Sequence, residues 1–177
     1  MKKRLVIFGL VIAFCLAVDC QNNAATAKLK AMKAQSALAE QNKEVVKRWL
    51  AEYDKGNFGI VDEIIAEDCL VHYAEETYDR EWLRATCEAF PKSFSDSVHM
   101  IEDLIAEKDK VVARAKVRVT HAGEFMGVAP TGKTVEYGGY TLYRLEGGMI
   151  RELWMDQNAT LELMKKLGIR ADQGETL

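Results

Sequence analysis

The sequence predicts an α+β fold: a curved antiparallel β-sheet wrapped over N-terminal helices, forming a cone with an apolar pocket. Three observations predict it. Apolar residues first recur at three- and four-residue steps, at Val45, Val46, Trp49, Leu50 and Tyr53. Later the period falls to two. From 111 to 121, Val111, Ala113, Ala115, Val117 and Val119 face one way and Arg114, Lys116, Arg118 and Thr120 the other. Helices also precede the strands instead of alternating with them, so no βαβ rhythm exists. A bent sheet over helices leaves a hollow of the kind that takes a small molecule.

The elements follow in order. Met1-Lys2-Lys3-Arg4 is a basic start, and Leu5 to Val18 is a run of fourteen residues without charge. At ~1.5 Å per residue that run is too short for a bilayer core of ~30 Å. It fits the apolar segment of a secretory signal, placed at 1–27. Cleavage falls either at 19/20, leaving Cys20 to carry a lipid, or at 27/28 after Ala25-Thr26-Ala27. Asp19 is not the small residue that the first route prefers. The mature protein is then expected in the periplasm or outside the cell, touching membrane only through the signal or an anchor at Cys20. Residues 28–40 read as a linker or helix extension, 41–170 as the domain and 171–177 as a tail.

Within the domain, helix 41–55 ends at Lys55-Gly56-Asn57. Phe58, Val61, Ile64 and Ile65 mark a short second helix, and 69–73 a strand. Helix 79–91 carries Trp82, Leu83, Cys87 and Phe90, with Pro91 at its end. Strands follow at 98–106, 111–121, 134–145 and 149–156, then a helix at 158–167. Gly138-Gly139 suggests a bulge or bend. Cys69 and Cys87 either pair, as export would allow, or stay as buried thiols.

Composition excludes several functions. Of 177 residues, 49% are apolar and 29% charged, with a net charge of −3, so the chain is neither disordered nor basic enough to favour nucleic acid. Gly127-Val128-Ala129-Pro130-Thr131-Gly132-Lys133-Thr134 matches a phosphate loop. That loop must open a helix, whereas Thr134 to Thr141 reads as strand, so the match is assigned to a hairpin and no nucleotide is expected. His72, His99 and His121 lack metal-ligand spacing, and no C-x-x-C or G-x-S-x-G occurs. Neither metal nor cofactor is expected.

From Asn42 to Gly168 the chain resembles the SnoaL-like polyketide cyclase and ester cyclase family. The resemblance lies in VVKRWLAEYDKGNFGIVDEIIAEDCLVH (45–72), VTHAGEFMGVAPTGKTVEYGGYTLYRLEGGMIRELW (119–154) and LELMKKLGI (161–169). It implies the nuclear-transport-factor-two-like cone and ring closure by an intramolecular aldol step, without metal or cofactor. In that family a carboxylate moves the proton, helped by a histidine. Aligned on these motifs, the carboxylate's place holds Met155 and the histidine's holds Thr141, and neither titrates near neutral pH.

Other groups must then carry any acid/base work. His121 is in phase with Val117 and Val119 on the apolar face, as a pocket acid/base or as a core histidine bonded to backbone. His72 stands where the family often has histidine, though a bridging role is open to it. Asp156 follows Trp154 and Met155, as a pocket acid or as the cap of the last helix. Trp49, Tyr53, Tyr140, Thr141, Trp154 and Met155 are the expected substrate-binding residues. His99 is assigned to the surface. Which face of 149–156 turns inward does not follow from its pattern.

Two functions stay in play. One is a cofactor-free cyclase, isomerase or lyase acting on a small apolar substrate. The other is a non-catalytic protein that binds a small hydrophobic ligand. Homodimerisation through the sheet is the protein partnership expected with either.

Overall fold

The computed structural model describes the backbone of residues 2–169 and the side chains of 23–169. The charge-free run read as a signal, its flanking Cys20 and the 171–177 tail, all expectations from sequence, lie outside the described side chains. Contacts divide the chain into two units, Met1–Leu38 and Ala39–Leu177. The first consists of α1 backbone alone, and its described side chains are exposed. No helix among the described residues is long and apolar enough to cross a membrane.

The second unit holds the rest. The described elements are α1 (Lys2–Asp54), α2 (Ile60–Ile64), β1 (Ile65–Tyr73), β2 (Glu76–Tyr78), α3 (Arg80–Ser93), β3 (Phe94–Glu107), β4 (Lys110–His121), β5 (Thr134–Glu146), β6 (Met149–Met155) and α4 (Gln157–Leu167). α1 buries Val46, Trp49 and Leu50, the stripe its spacing predicts. α3 starts at Asp79, whose carboxylate accepts from Trp82 N at 2.9 Å. It runs past Pro91 to Ser93, further than expected, because a proline so near the end removes a single intrahelical donor. α4 starts on Asp156 and stops at Gly168, which takes φ 80° and donates back to the last turn.

The strands form one curved sheet in the order β2-β1-β6-β5-β4-β3. β3 to β6 are antiparallel neighbours, as the alternation predicts. β1 instead lies parallel to β6, so the sheet is mixed and not purely antiparallel. A strand flanked by helices carries no hairpin to dictate its direction. β2, three residues at the sheet's edge, was not anticipated.

Two side-chain clusters fill the space between the sheet's inner face and the helices. One joins Val46, Trp49, Leu50, Ile60, Ile64, Leu83 and Cys87 to Val71, Val111, Tyr143, Ile150 and Leu153. The other joins Phe94, Val117 and Val119 to Leu163, Met164 and Leu167. Cys69 and Cys87 are both buried and free. The β4–β5 loop is pinned at Gly123, where a Cβ would stand 1.9 Å from Lys92 O. At the other end, Asn42 Nδ2 donates to Lys108 O at 3.2 Å, tying α1 to the β3–β4 turn.

Candidate functional site

The face that 149–156 turns inward is set by an irregularity. Leu145 pairs with Ile150 and Arg144 with Glu152, so Arg151 is an extra residue on β6. Beyond it Leu153 and Met155 face inward, while Glu152 and Trp154 face outward. Thr141 pairs with Met155 on β6 and with Ala113 on β4, and Tyr73 pairs with Met155 on β1. The two positions expected to hold the family's histidine and carboxylate are therefore cross-strand neighbours on the inner face. They carry a hydroxyl and a thioether.

The expected site residues separate. His121 is fully buried on the inner face of β4, opposite Phe94, with ring centroids 5.5 Å apart. Its Nδ1 lies 3.1 Å from Thr131 Oγ1, and its Nε2 has no partner among the described residues. His72 lies on the outer face. Its Nε2 is 2.9 Å from Glu152 Oε1, its Nδ1 is 3.1 Å from Thr77 Oγ1, and its ring stacks on Trp154 at 4.9 Å. Glu152 also accepts from Arg144 Nε at 2.7 Å. The Arg144 hydrogen bond first, then that from His72, holds the Glu152 carboxyl below the usual range.

Asp156 caps α4, with Oδ1 accepting from Asn158 N at 2.9 Å. Its Oδ2 turns toward the inner face, 3.7 Å from where a Cβ on Gly139 would stand. Of the expected substrate contacts, Trp49, Tyr53, Thr141 and Met155 line the inner side. Trp154 and the 55% exposed Tyr140 are outside.

One inward pair was missed. His99, opposite Val117 in β3, turns inward instead of lying at the surface. Asp54, the last residue of α1, holds its Nδ1 at 2.6 Å and its backbone N–H at 2.8 Å. Tyr53 packs edge-on against the His99 ring at 5.4 Å. The signal was present in principle, since His99 and Ile101 are two apart on a strand. Its partner lies 45 residues away, beyond what spacing reveals.

Burial sets the chemistry of the neighbouring groups. It pushes the Tyr53 phenol well above its ordinary range, with Cys87, Tyr137 and Asp54 adding to the effect. Tyr137 and Tyr143 rise for the same primary reason. The Cys69 and Cys87 thiols are pushed up to about 12. The phenols stay neutral donors, and the thiols are not nucleophiles near neutral pH.

Open hollows lie elsewhere. One of about 270 Å³ is lined by Glu67, Asp79, Arg80 and Glu81, and one of about 490 Å³ by Leu70, Thr77, Tyr78, Asp79 and Trp82. Neither is lined by His121, Asp156 or Met155. The glycine-rich loop leaves β4 and enters β5, with Gly127 at φ 75° and Gly132 at φ 68°. No helix opens after Thr134. Among the described residues no cluster of His, Cys, Asp and Glu has the arrangement of a metal site.

Comparison with known proteins agrees with this architecture. No curated protein matches the chain. IdmH of Streptomyces antibioticus, named as a polyketide cyclase, is 28% identical, with a TM-score of 0.62 over 73% of this chain and 99% of its own. AclR of Streptomyces galilaeus is 24% identical, with a TM-score of 0.65 over 72% and 98%. A SnoaL-like polyketide cyclase of Agrobacterium tumefaciens shares 16% identity and a TM-score of 0.58, over 70% and 97%. The family model for SnoaL-like polyketide cyclases matches residues 43–166. With the inner-face geometry and a match over most of its length, the chain belongs to the SnoaL-like polyketide cyclase family.

Proposed function

We propose that the protein is a cofactor-free acid/base enzyme, of cyclase, isomerase or lyase type, acting on a small apolar substrate held against the inner face of the sheet. The observation that carries this reading is His121. Buried polar nitrogens are almost always hydrogen-bonded. His121 is 0% exposed, yet Nε2 has no partner among the described residues while Thr131 holds the other nitrogen. A substrate heteroatom or reacting proton would satisfy it. Phe94 lies against its ring, and half-buried Phe90 and Phe125, packed on Phe94, would have to move to admit the substrate. Export before function is part of the proposal, supported by the basic start and the charge-free run; an intact Met1 on purified cytoplasmic protein would count against it.

The test is a screen of cyclisable esters, ketones and epoxides, followed by His121→Gln. Loss of a general acid/base lowers kcat by ~10²–10⁴-fold. A lower unfolding midpoint with unchanged kcat would make His121 structural. Thr141 and Met155 favour a second reading. With no proton donor or acceptor at the paired family positions, the interior would serve as a binding site alone. No turnover, together with tight retention of an apolar ligand, would establish it.

A further inference from the structure

We propose that Asp54 and His99 are the proton-transferring pair of the interior, working in place of the two groups absent at Thr141 and Met155. This rests on the acid/base reading above.

The geometry points to a base and its orienting carboxylate. Asp54 Oδ1 lies 2.6 Å from His99 Nδ1, and a carboxylate only accepts, so Nδ1 carries the proton and the Nε2 lone pair is open. Nε2 has no hydrogen-bond partner among the described residues. The other Asp54 oxygen receives His99 N–H at 2.8 Å, which fixes the carboxylate against the strand. That backbone bond alone would tie the end of α1 to β3; the ring bond additionally sets tautomer and orientation. The side chains are 17% and 19% exposed, screened but within reach of a solute.

The surroundings suit an apolar guest. A run of rings leads from His99 to Tyr53 at 5.4 Å, to Phe90 at 6.3 Å, to Phe94 at 4.7 Å and to His121 at 5.5 Å. His99 pairs with Val117, which also pairs with Tyr137. Val117 and His121 are four residues apart on one strand face, roughly 14 Å at ~3.4 Å per residue. The dyad and His121 thus stand at opposite ends of one aromatic wall. In the step assigned to the dyad, Nε2 takes a proton from a substrate carbon. The C–H electron pair moves into the substrate, and the proton leaves Nε2 for the product or for water.

The probe is 5-nitrobenzisoxazole, a flat apolar molecule that reports proton abstraction without a second reactant. Loss of its C3 proton sends the electron pair to form the nitrile and breaks the N–O bond, releasing a coloured phenolate. The full chain should outpace free imidazole at equal concentration. His99→Gln should remove ~10²–10⁴-fold of the rate, and Asp54→Asn should fall between it and wild type. Unfolding midpoints checked in parallel show whether each variant is folded. An unchanged rate in folded His99→Gln would overturn the dyad, and if His121→Gln then abolished the rate the acid/base reading would survive alone. A wild type no faster than imidazole would sink both. Should His99→Gln not fold, imidazole ¹⁵N spectra of the wild type decide: a proton on Nδ1 supports the pair, and one on Nε2 in the neutral ring overturns it.

Discussion

The carboxylate of Asp156 has two surroundings. Oδ1 caps α4, while Oδ2 faces the backbone of Gly139, where α4 crosses the sheet. Asparagine keeps an accepting oxygen, so Asp156→Asn should unfold within a few tenths of a kcal/mol of wild type, whereas Asp156→Ala should lose ~0.5–2 kcal/mol in urea titration. Gly139 is constrained more tightly. A Cβ there would sit 2.8 Å from the Ala159 Cβ, an atom that cannot rotate away. Gly139→Ala should therefore destabilise by ~1–3 kcal/mol through displacement of α4. Adding Ala159→Gly should recover part of the loss, and a strictly additive double variant would refute the contact.

At the scale of elements, the outer faces of β1, β6 and β5 are joined by His72, Glu152 and Arg144. Glu152 has a folded-state pKa below its unfolded value, chiefly because of Arg144. Its contribution to stability is complete above the ordinary carboxylate value of ~4.3 and fades as pH falls through the lower folded-state value. Glu152→Gln should thus unfold at lower temperature than wild type at pH 7, with the gap closing in acid. A gap that widens below pH 4 would contradict this sign. These links also show what sequence could reveal. Period two gave β4 both faces correctly, because its alternation is uninterrupted from Val111 to Val119. It could not orient β6, where the extra Arg151 shifts the phase midway. Helix α1 was readable because its stripe is local, while His99 was not, because its partner is brought in from another element.

For the whole molecule, helices followed by an antiparallel series were enough to anticipate the cone, since hairpin order and hydrophobic period constrain one another. The direction of β1 was not available from these signals. Its neighbour is β6, and the pairing joins distant residues, His72 with Trp154 and Ile65 with Ile150, the latter 85 positions apart along the chain. The β3–β4–β5 series, by contrast, is built from neighbours in sequence. The early-forming contacts should be those of the series. Val119→Ala should mainly slow refolding, and Val71→Ala should mainly speed unfolding, in stopped-flow chevrons. The reverse pattern would place the nucleus at the parallel seam.

The parallel seam also has a consequence for the order of synthesis. The strand made first can take its place only after the strand made last has emerged, because β6 is its inner neighbour. Until then the apolar side chains of β1 have only the short β2 beside them in the sheet, although the other strands can already pair. During translation the protein thus carries an open sheet edge for most of its length. If it is exported, a chain held in that unfinished state is also one that has not closed around its own interior, and is easier to thread through a channel than the finished cone.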